Sequence, residues 1–153
     1  MSIDKVRKHL RKWNKDIDIL IFEDSSATVE LAAKVLNVVP GRIAKTISLK
    51  DADNALLVVS AGDVKIDNAK FKAEFGFKAK MLSPEEVLEF TGHTVGGVSP
   101  FGLKNEIRVY LDQSLKRFET IFPACGSSNS AIKLTCDELE EYSLGIKWID
   151  VCK

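Results

Sequence analysis

Residues 91–103 form a segment whose residue types are suited to holding a ligand through the backbone. The segment reads TGHTVGGVSPFGL and contains four of the chain's nine glycines, one of its two histidines, a serine and a proline. Glycines let backbone N–H groups come close to a bound molecule, and proline stiffens the chain beside them. We therefore expect this segment to line a site, and the neighbouring residues limit the chemistry that the site can perform.

Three common chemistries fit the segment poorly. An α/β-hydrolase elbow takes an oxyanion donor from the residue after its serine, but Ser99 is followed by Pro100, which has no N–H. The segment also lacks the GxxxxGK[ST] pattern of a phosphate loop. The only histidines are His9 and His93, and neither has a second histidine or a cysteine at ligand spacing. The sequence thus disfavours a nucleophilic serine, a phosphate loop and a metal site, and it indicates no cofactor.

Two residues outside the segment could also do chemistry. Cys125 lies beside Gly126 in a second small-residue turn, ACGSSNS, but a nucleophilic cysteine needs a base, and His93 is the histidine available for that role. A small, half-buried cysteine in a tight turn is the commoner case. Lys45 precedes a strand-like run, where an isolated lysine would be a solvated residue at a strand end.

Composition limits the class of protein. A chain of 153 residues with 45% hydrophobic and 29% charged residues predicts one globular domain over residues 1–153. Basic and acidic residues number 22 each, so a broad electrostatic grip on nucleic acid is not expected. No apolar run is long enough to span a membrane, the N-terminus has no secretory signal, and the three cysteines have no framework spacing. We expect a reduced, cytoplasmic protein.

The elements that must position these residues alternate irregularly between helix and strand. Hydrophobic periodicity, capping residues and turn residues predict them. The predicted helices are 3–13, 28–37, 67–75, 83–90, 114–121 and one beginning at the capping box of residues 135–138; the predicted strands are 17–23, 44–49, 55–61, 77–82, 107–112, 131–134 and 146–151.

The order of these elements predicts the fold class. Residues 44–61 read as a β-hairpin, which does not suit a doubly wound parallel sheet. We expect an α+β fold with a mixed, curved, barrel-like sheet of about seven strands surrounded by about six helices. The segment 91–103 then joins a helix to a strand, and connections of this length are usually functional or disordered.

Several of these stretches together resemble a known family. The runs LAAKVLNVVPGRIAKTISL and GHTVGGVSPFGL, followed by VYLDQSL, ACG and IKLT, are similar to the YbaK/EbsC family, over roughly residues 20–150. That family includes the editing insertion domain of bacterial prolyl-tRNA synthetase and its free-standing ProXp relatives. The resemblance implies the YbaK fold and an aminoacyl-tRNA deacylase, which hydrolyses the ester between a wrong amino acid and the terminal adenosine of a tRNA.

The resemblance also implies roles for individual residues. The family's functional lysine corresponds to Lys45 and its GxxxP loop to Gly96 through Pro100, while in the ACGSSNS turn the match extends to Gly126 and not to Cys125. His93 either tunes specificity or caps the turn at Gly92. The implied catalytic residues are Lys45, Gly96, Gly97, Ser99 and Pro100, and the implied substrate-binding residues are Thr46, His93, Val98, Phe101 and Gly126.

The implied substrate is a tRNA carrying a small amino acid such as Ala, Ser, Thr or Cys. The basic first helix would contact the acceptor stem through Lys8, Arg11 and Lys12, or it is only a solvated helix face. Two alternatives stay open, namely a catalytically silent module that binds aminoacyl-tRNA or a synthetase, and a hydrolase of unrelated small esters. We expect an aminoacyl-tRNA synthetase as a second partner, no membrane association, and a monomer or weak homodimer.

Overall fold

A computed structural model describes residues 2–153, in which helices pack on both faces of a mixed β-sheet. Within these residues there are five α-helices, seven strands and four 3₁₀ segments. The helices are α1 (Ser2–Leu10), α2 (Val29–Leu36), α3 (Asn68–Phe75), α4 (Pro84–Thr91) and α5 (Cys136–Ser143). The strands are β1 (Leu20–Ile21), β2 (Ile43–Asp51), β3 (Asn54–Ala61), β4 (Arg108–Asp112), β5 (Phe122–Pro123), β6 (Ser130–Ala131) and β7 (Trp148–Ile149).

The main sheet has five strands in the order β5-β2-β3-β4-β7. β2 and β3 form the predicted antiparallel hairpin, in which Lys45 lies opposite Ser60 and Thr46 opposite Val59. The other three pairings in this sheet are parallel, and β1 and β6 form a separate antiparallel pair. The structure therefore confirms a mixed α+β fold.

The two faces of the hairpin pack against different helices. Side chains alternate along a strand, so Ala44 and Thr46 leave one face of β2 while Lys45 and Ile47 leave the other. Ala44 belongs to the largest core cluster, which also contains apolar residues of α1 and α5. Ile47 belongs to a second cluster built around Phe71 of α3. Both faces of the central strands are therefore covered by helices.

The ends of α2 and α3 lie at the residues that the capping pattern predicts. The Thr28 hydroxyl accepts a hydrogen bond from the N–H of Leu31 at 3.1 Å, and the Asp67 carboxylate accepts one from the N–H of Lys70 at 3.0 Å. Gly76 follows α3 with a φ of 82°, a conformation in which glycine is favoured. These contacts satisfy backbone groups that a helix end leaves without partners.

Capping boxes begin α4 and α5, also as predicted. Ser83 and Glu86 exchange side-chain and backbone hydrogen bonds at the start of α4, and Thr135 and Glu138 do the same for α5. Gly92 ends α4 in the left-handed conformation, with a φ of 79°. The glycine-rich loop therefore starts at a well-defined helix end.

Three predicted elements are wrong or shortened. The strand predicted over 17–23 is limited to the two residues of β1, because Ile17 is 82% exposed and lies within the 3₁₀ turn Asp16–Asp18. The strand predicted over 77–82 is reduced to a single bridge between Met81 and Leu49. The helix predicted over 114–121 is a 3₁₀ segment, Gln113–Arg117, so residues 2–153 contain five α-helices where about six were expected.

The last two strands are also shorter than predicted. β6 ends at Ala131, and the rest of the predicted 131–134 strand contributes one bridge, between Leu134 and Ile121. β7 spans two of the six residues predicted over 146–151. Across residues 2–153, no helix has the length and apolar character needed to cross a membrane.

Candidate functional site

The loop after α4 forms one wall of a cavity of about 360 Å³. Val95, Gly96 and Val98 line the cavity from the loop, and residues of α2, α4, β2, β5 and β6 form the other walls. This volume lies at the lower end of the roughly 300 to 1,000 Å³ that is typical of small-molecule sites. The structure thus brings the glycine-rich loop to the same cavity as Lys45 and Thr46, which also line it.

A tight turn shapes the cavity-facing part of the loop. The N–H of Gly97 donates to the carbonyl oxygen of Thr94 at 3.0 Å, which closes a four-residue turn. Gly96 is the third residue of that turn and has a φ of 95°, as the corresponding position of a type II turn requires. A glycine is therefore favoured at residue 96 because of the backbone conformation of the turn.

The same turn determines which backbone donors are available. The hydrogen bond to Thr94 occupies the N–H of Gly97. Within residues 2–153, the N–H groups of Gly96 and Val98 have no hydrogen-bond partner, and both residues line the cavity. A ligand that carries an acceptor oxygen could use these two groups.

Lys45 lies on β2 at the cavity wall, and its ammonium group donates to the carbonyl oxygen of Val64. Burial lowers the pKa of Lys45, while the nearby Cys152 and Asp63 act in the opposite direction. Asp63 is itself bound by Arg117, with 2.5 Å between Nη2 and Oδ1. The positive charge of Lys45 is therefore held in place by a backbone carbonyl on the face of β2 opposite to Thr46.

The next residue, Thr46, brings a hydroxyl group to the cavity wall from the other face of β2. Its Oγ1 is buried and has no hydrogen-bond partner within the described residues 2–153. Buried polar atoms are nearly always paired, so an unpaired hydroxyl in the wall of a cavity is unusual. Ser48, two residues further along the strand, also lines the cavity.

The other predicted loop residues lie behind the cavity wall. Ser99 is fully buried, and its Oγ accepts a hydrogen bond from the N–H of Phe101 at 3.2 Å. Phe101 is also fully buried and belongs to the largest core cluster. Pro100 lines a second cavity, which does not share residues with the first. Their predicted roles in catalysis or substrate binding therefore stay predictions.

His93 and Gly126 contact the first helix. His93 is fully buried, its Nε2 donates to the carbonyl oxygen of Phe101 at 2.8 Å, and its Nδ1 contacts the hydroxyl of Ser2. Burial lowers the pKa of His93, the bond to Phe101 raises it, and Lys5 lowers it further. Gly126 has a φ of 91°, and a Cβ there would lie 2.9 Å from the carbonyl carbon of Ser2.

The basic residues predicted for the first helix lie away from the first cavity, and Arg11 and Lys12 belong to the 3₁₀ segment Arg11–Trp13 that follows α1. None of Lys8, Arg11 and Lys12 lines the first cavity, whereas Lys12 lines the second cavity, of about 760 Å³, together with Pro100. Arg11 pairs with Asp16 at 3.5 Å in an exposed contact. Any contact of this helix with a partner would therefore be made outside the first cavity.

Burial favours the protonated form of Cys125 and Cys152. Burial raises the pKa of Cys125, and burial, with help from Asp112, raises the pKa of Cys152 to about 12. Such thiols are poor nucleophiles near neutral pH. No three histidine, cysteine, aspartate or glutamate side chains among residues 2–153 are arranged so that they could hold a metal ion.

Sequence reasoning missed most of the wall that faces the loop. Ala32 of α2, Ala124 and Ala131 supply small side chains to the cavity, and Val87 of α4 supplies an apolar one. An alanine on an amphipathic helix gives no signal that separates a cavity wall from core packing. The polar residue Ser48, between two buried apolar residues of β2, was a signal that the sequence offered.

Comparisons with known proteins place this geometry in a family. The family model described as "Aminoacyl-tRNA editing domain" matches residues 23–142. "Uncharacterized protein YwhH" of Bacillus subtilis is 58% identical over 154 aligned positions, which cover 100% of this chain and 98% of that protein. "Putative Cys-tRNA(Pro)/Cys-tRNA(Cys) deacylase EbsC" of Enterococcus faecalis is 27% identical over 115 positions, covering 74% of this chain and 70% of that protein.

A solved structure agrees in fold over almost the whole chain. It is described as "Crystal structure of a putative trans-editing enzyme for prolyl tRNA synthetase", has a TM-score of 0.89 and 25% sequence identity, and the match covers 99% of this chain and 97% of that one. The family match includes β2 with Lys45, the glycine-rich loop and the ACGSSNS turn. The chain therefore belongs to the aminoacyl-tRNA editing domain family.

Proposed function

We propose that residues 1–153 form one deacylase domain that removes a small, wrongly attached amino acid from tRNA. The observation that carries this proposal is one cavity lined by Lys45, Thr46, Gly96 and Val98. Within residues 2–153, the Thr46 hydroxyl and the N–H groups of Gly96 and Val98 have no hydrogen-bond partner. The relative named as a deacylase and the solved structure described as a trans-editing enzyme support the same reaction.

The reaction is hydrolysis of an ester. A water molecule attacks the carbonyl carbon of the aminoacyl group, the bond from that carbon to the ribose oxygen breaks, the ribose hydroxyl regains a proton, and the amino acid leaves as its carboxylate. An aminoacyl ester is labile, so orienting water and stabilising the developing oxyanion can supply much of the acceleration. This reaction does not require Ser99 or Cys125 as a nucleophile.

The loop would supply the donors for the oxyanion. We assign this role to the N–H groups of Gly96 and Val98, because the N–H of Gly97 already donates to Thr94. The turn that this bond closes fixes the backbone before substrate arrives, so little reorganisation is needed during the reaction. Removing one such donor typically lowers kcat by about 100-fold to 1,000-fold.

Lys45 would supply a positive charge next to the scissile ester. Its ammonium group is held by the carbonyl of Val64 and would turn toward the aminoacyl group or the terminal phosphate when the tRNA end enters. A lysine is suited to this role because its compact charge lies on a flexible stem. Burial lowers its pKa, because the folded protein already removes part of the hydration of the ammonium group.

The walls of the cavity would select the amino acid by size. Ala32, Ala124 and Ala131 leave space, while Val87 and Val98 limit it. A hydrophobic pocket distinguishes one methylene by only about 1 to 3 kcal/mol, so synthetases mischarge small analogues and a second sieve is useful. Ala, Ser, Thr and Cys are the candidates, and Cys is also the amino acid in the name of the Enterococcus faecalis relative.

The macromolecular partners would be a tRNA and a prolyl-tRNA synthetase. The similar solved structure is described as acting for that synthetase, and the terminal adenosine of a tRNA carries the aminoacyl ester. Single-stranded ends of RNA are recognised by pocket shape and stacking, which fits a chain with zero net charge. Lys8, Arg11 and Lys12 would contact the acceptor stem outside the cavity.

The test is loss of amino acid from a panel of mischarged tRNAs carrying Ala, Ser, Thr or Cys, with correctly charged tRNAs alongside. We expect at least one small amino acid to be removed faster than in buffer, and we expect Lys45→Ala to lower kcat/KM by about 100-fold or more. Lys50→Ala is the matched control, because Lys50 lies on the same strand, pairs with Glu86 at 3.2 Å and does not line the cavity.

The outcomes separate the alternatives. Binding of mischarged tRNA without hydrolysis would contradict the deacylase and indicate a binding module. Hydrolysis of small esters that lack a tRNA, at the same rate as mischarged tRNA, would indicate a general esterase. Full activity of Lys45→Ala would contradict the role assigned to Lys45 and leave the reaction itself standing.

A further inference from the structure

A hydrogen-bonded chain links the glycine-rich loop to the first helix. The Ser2 hydroxyl contacts His93 Nδ1, and His93 Nε2 donates to the carbonyl oxygen of Phe101 at 2.8 Å. Because a carbonyl oxygen can only accept, Nε2 carries the proton, and Nδ1 of the neutral ring accepts from the serine. The imidazole is fully buried and spans the loop from residue 93 to residue 101.

Close backbone contacts reinforce this link. A Cβ at Gly102 would lie 2.7 Å from the carbonyl carbon and oxygen of Lys5, and one at Gly126 would lie 2.9 Å from the carbonyl carbon and oxygen of Ser2. A Cβ at Gly97 would lie 2.8 to 2.9 Å from the backbone of Ser127. The first turns of α1, the loop and the ACGSSNS turn are therefore packed backbone against backbone, with no room for side chains between them.

The residues that link α1 to the loop lie on the side of the loop away from the cavity. Ser2, His93 and Gly102 do not line the cavity, whereas Gly96 and Val98 do. Thr91 strengthens the start of the loop, since its hydroxyl donates to the Val87 carbonyl at 2.6 Å and accepts from the N–H of His93 at 3.0 Å. The imidazole thus holds the loop from behind, on the side that does not meet the cavity.

We propose that Ser2 and His93 are positioning residues, through which helix α1 holds Gly96 and Val98 in the conformation that deacylation needs. This inference rests on the proposed function, because it gives the first helix a part in that reaction. A buried polar group left without a partner destabilises the folded structure around it, so losing either partner loosens the loop. Gly96 and Val98 would then present their N–H groups to the transition state less often.

The variants are Ser2→Ala, His93→Gln, their double variant and Ser2→Thr. Gln at residue 93 can place an amide N–H near the position of Nε2 and keep the bond to Phe101, but it leaves Ser2 without its partner. We expect each single variant to lower kcat about tenfold with little change in KM, because the N–H groups that Ser2 and His93 hold in place would bind the oxyanion of the transition state and not the ground-state ester. The kcat of the double variant should be no lower than that of either single variant. Ser2→Thr keeps the hydroxyl group and should retain the kcat of the wild-type protein.

A readout independent of activity is amide hydrogen exchange within the loop. The N–H of Gly97 donates to Thr94 and that of Phe101 donates to Ser99, so both report on loop order. We expect Ser2→Ala and His93→Gln to speed the exchange of both amides by about tenfold. Thr135→Ala is the control, since it removes a comparable hydroxyl contact at the start of α5 and should leave both amides unchanged.

Each outcome bears on one idea. Exchange at Gly97 and Phe101 that is as slow in the Ser2 and His93 variants as in Thr135→Ala would overturn the positioning role. Faster exchange with unchanged kcat would overturn its importance for the reaction. Wild-type protein that deacylates no tRNA would contradict the proposed function, and the exchange measurement would still decide whether Ser2 and His93 hold the loop.

Discussion

The two halves of the glycine-rich loop use similar residues for different purposes. In the cavity half, residues 95–98, a turn that contains Gly96 leaves two backbone N–H groups at the cavity wall without a partner among residues 2–153. In the packed half, residues 99–102, Ser99 and Phe101 are fully buried and Gly102 lies against the backbone of α1. A motif rich in Gly, Ser and Pro can therefore contain a site and its support within eight residues.

The largest expected effect comes from disturbing the packed half. In Gly102→Ala the new Cβ would lie 2.7 Å from the backbone of Lys5, and φ at this residue is 61°, so the substitution adds a steric clash to an unfavourable conformation. We expect the free energy of unfolding to fall by about 3 kcal/mol. Urea denaturation monitored by circular dichroism measures this change. A loss below about 1 kcal/mol would mean that α1 and the loop are not tightly packed.

A smaller stability effect is expected in the cavity half. In Gly96→Ala the new Cβ would lie 3.1 Å from the Ala27 side chain, a contact that can relax, and the positive φ costs about 1 kcal/mol. We expect a modest loss of stability but a decrease of about tenfold or more in kcat, because the turn that presents the N–H groups is disturbed. Equal losses of stability in Gly96→Ala and Gly102→Ala would remove the distinction between the halves.

The smallest effect concerns pH. Burial lowers the pKa of His93 and of His9, so below about pH 6.5 the unfolded chain binds protons that the folded chain does not yet bind. The free energy of unfolding should be nearly flat between pH 7 and pH 8 and should fall on acidification, by at most about 1.4 kcal/mol per pH unit for each histidine. His93→Gln should reduce this slope, as measured by urea denaturation between pH 5 and pH 8. An unchanged slope would contradict a buried, neutral imidazole behind the loop.

Local chemistry explains why some elements could be predicted from the sequence. Thr28, Asp67 and the Ser83 capping box mark helix starts through contacts within a few residues, so the neighbouring sequence contains the necessary information. The hairpin of β2 and β3 is local as well. The strand predicted over 17–23 failed because a β-branched run becomes a strand only where a partner strand is available, and a single pair of residues finds one here.

The candidate site also has some features that the sequence predicts and others that it does not. The pattern of glycines and its resemblance to a family identified the loop and Lys45, which line one cavity. The sequence could not show that the N–H of Gly97 is occupied or that Ser2 meets His93, which is 91 residues away. Contacts of that kind depend on how distant segments pack, and hydrophobic periodicity does not encode them.

The most direct test of the account is binding of a stable substrate mimic, observed at each backbone amide. The mimic is adenosine with alanine joined to its 3′ position by an amide, which cannot be hydrolysed as the ester is. Titration monitored by NMR should shift the amide signals of Thr46, Gly96 and Val98 and should leave those of Gly102 and Gly126 nearly unchanged. Shifts limited to residues of the second cavity, or no shifts at Gly96 and Val98 at saturation, would contradict the assignment of the cavity as the site.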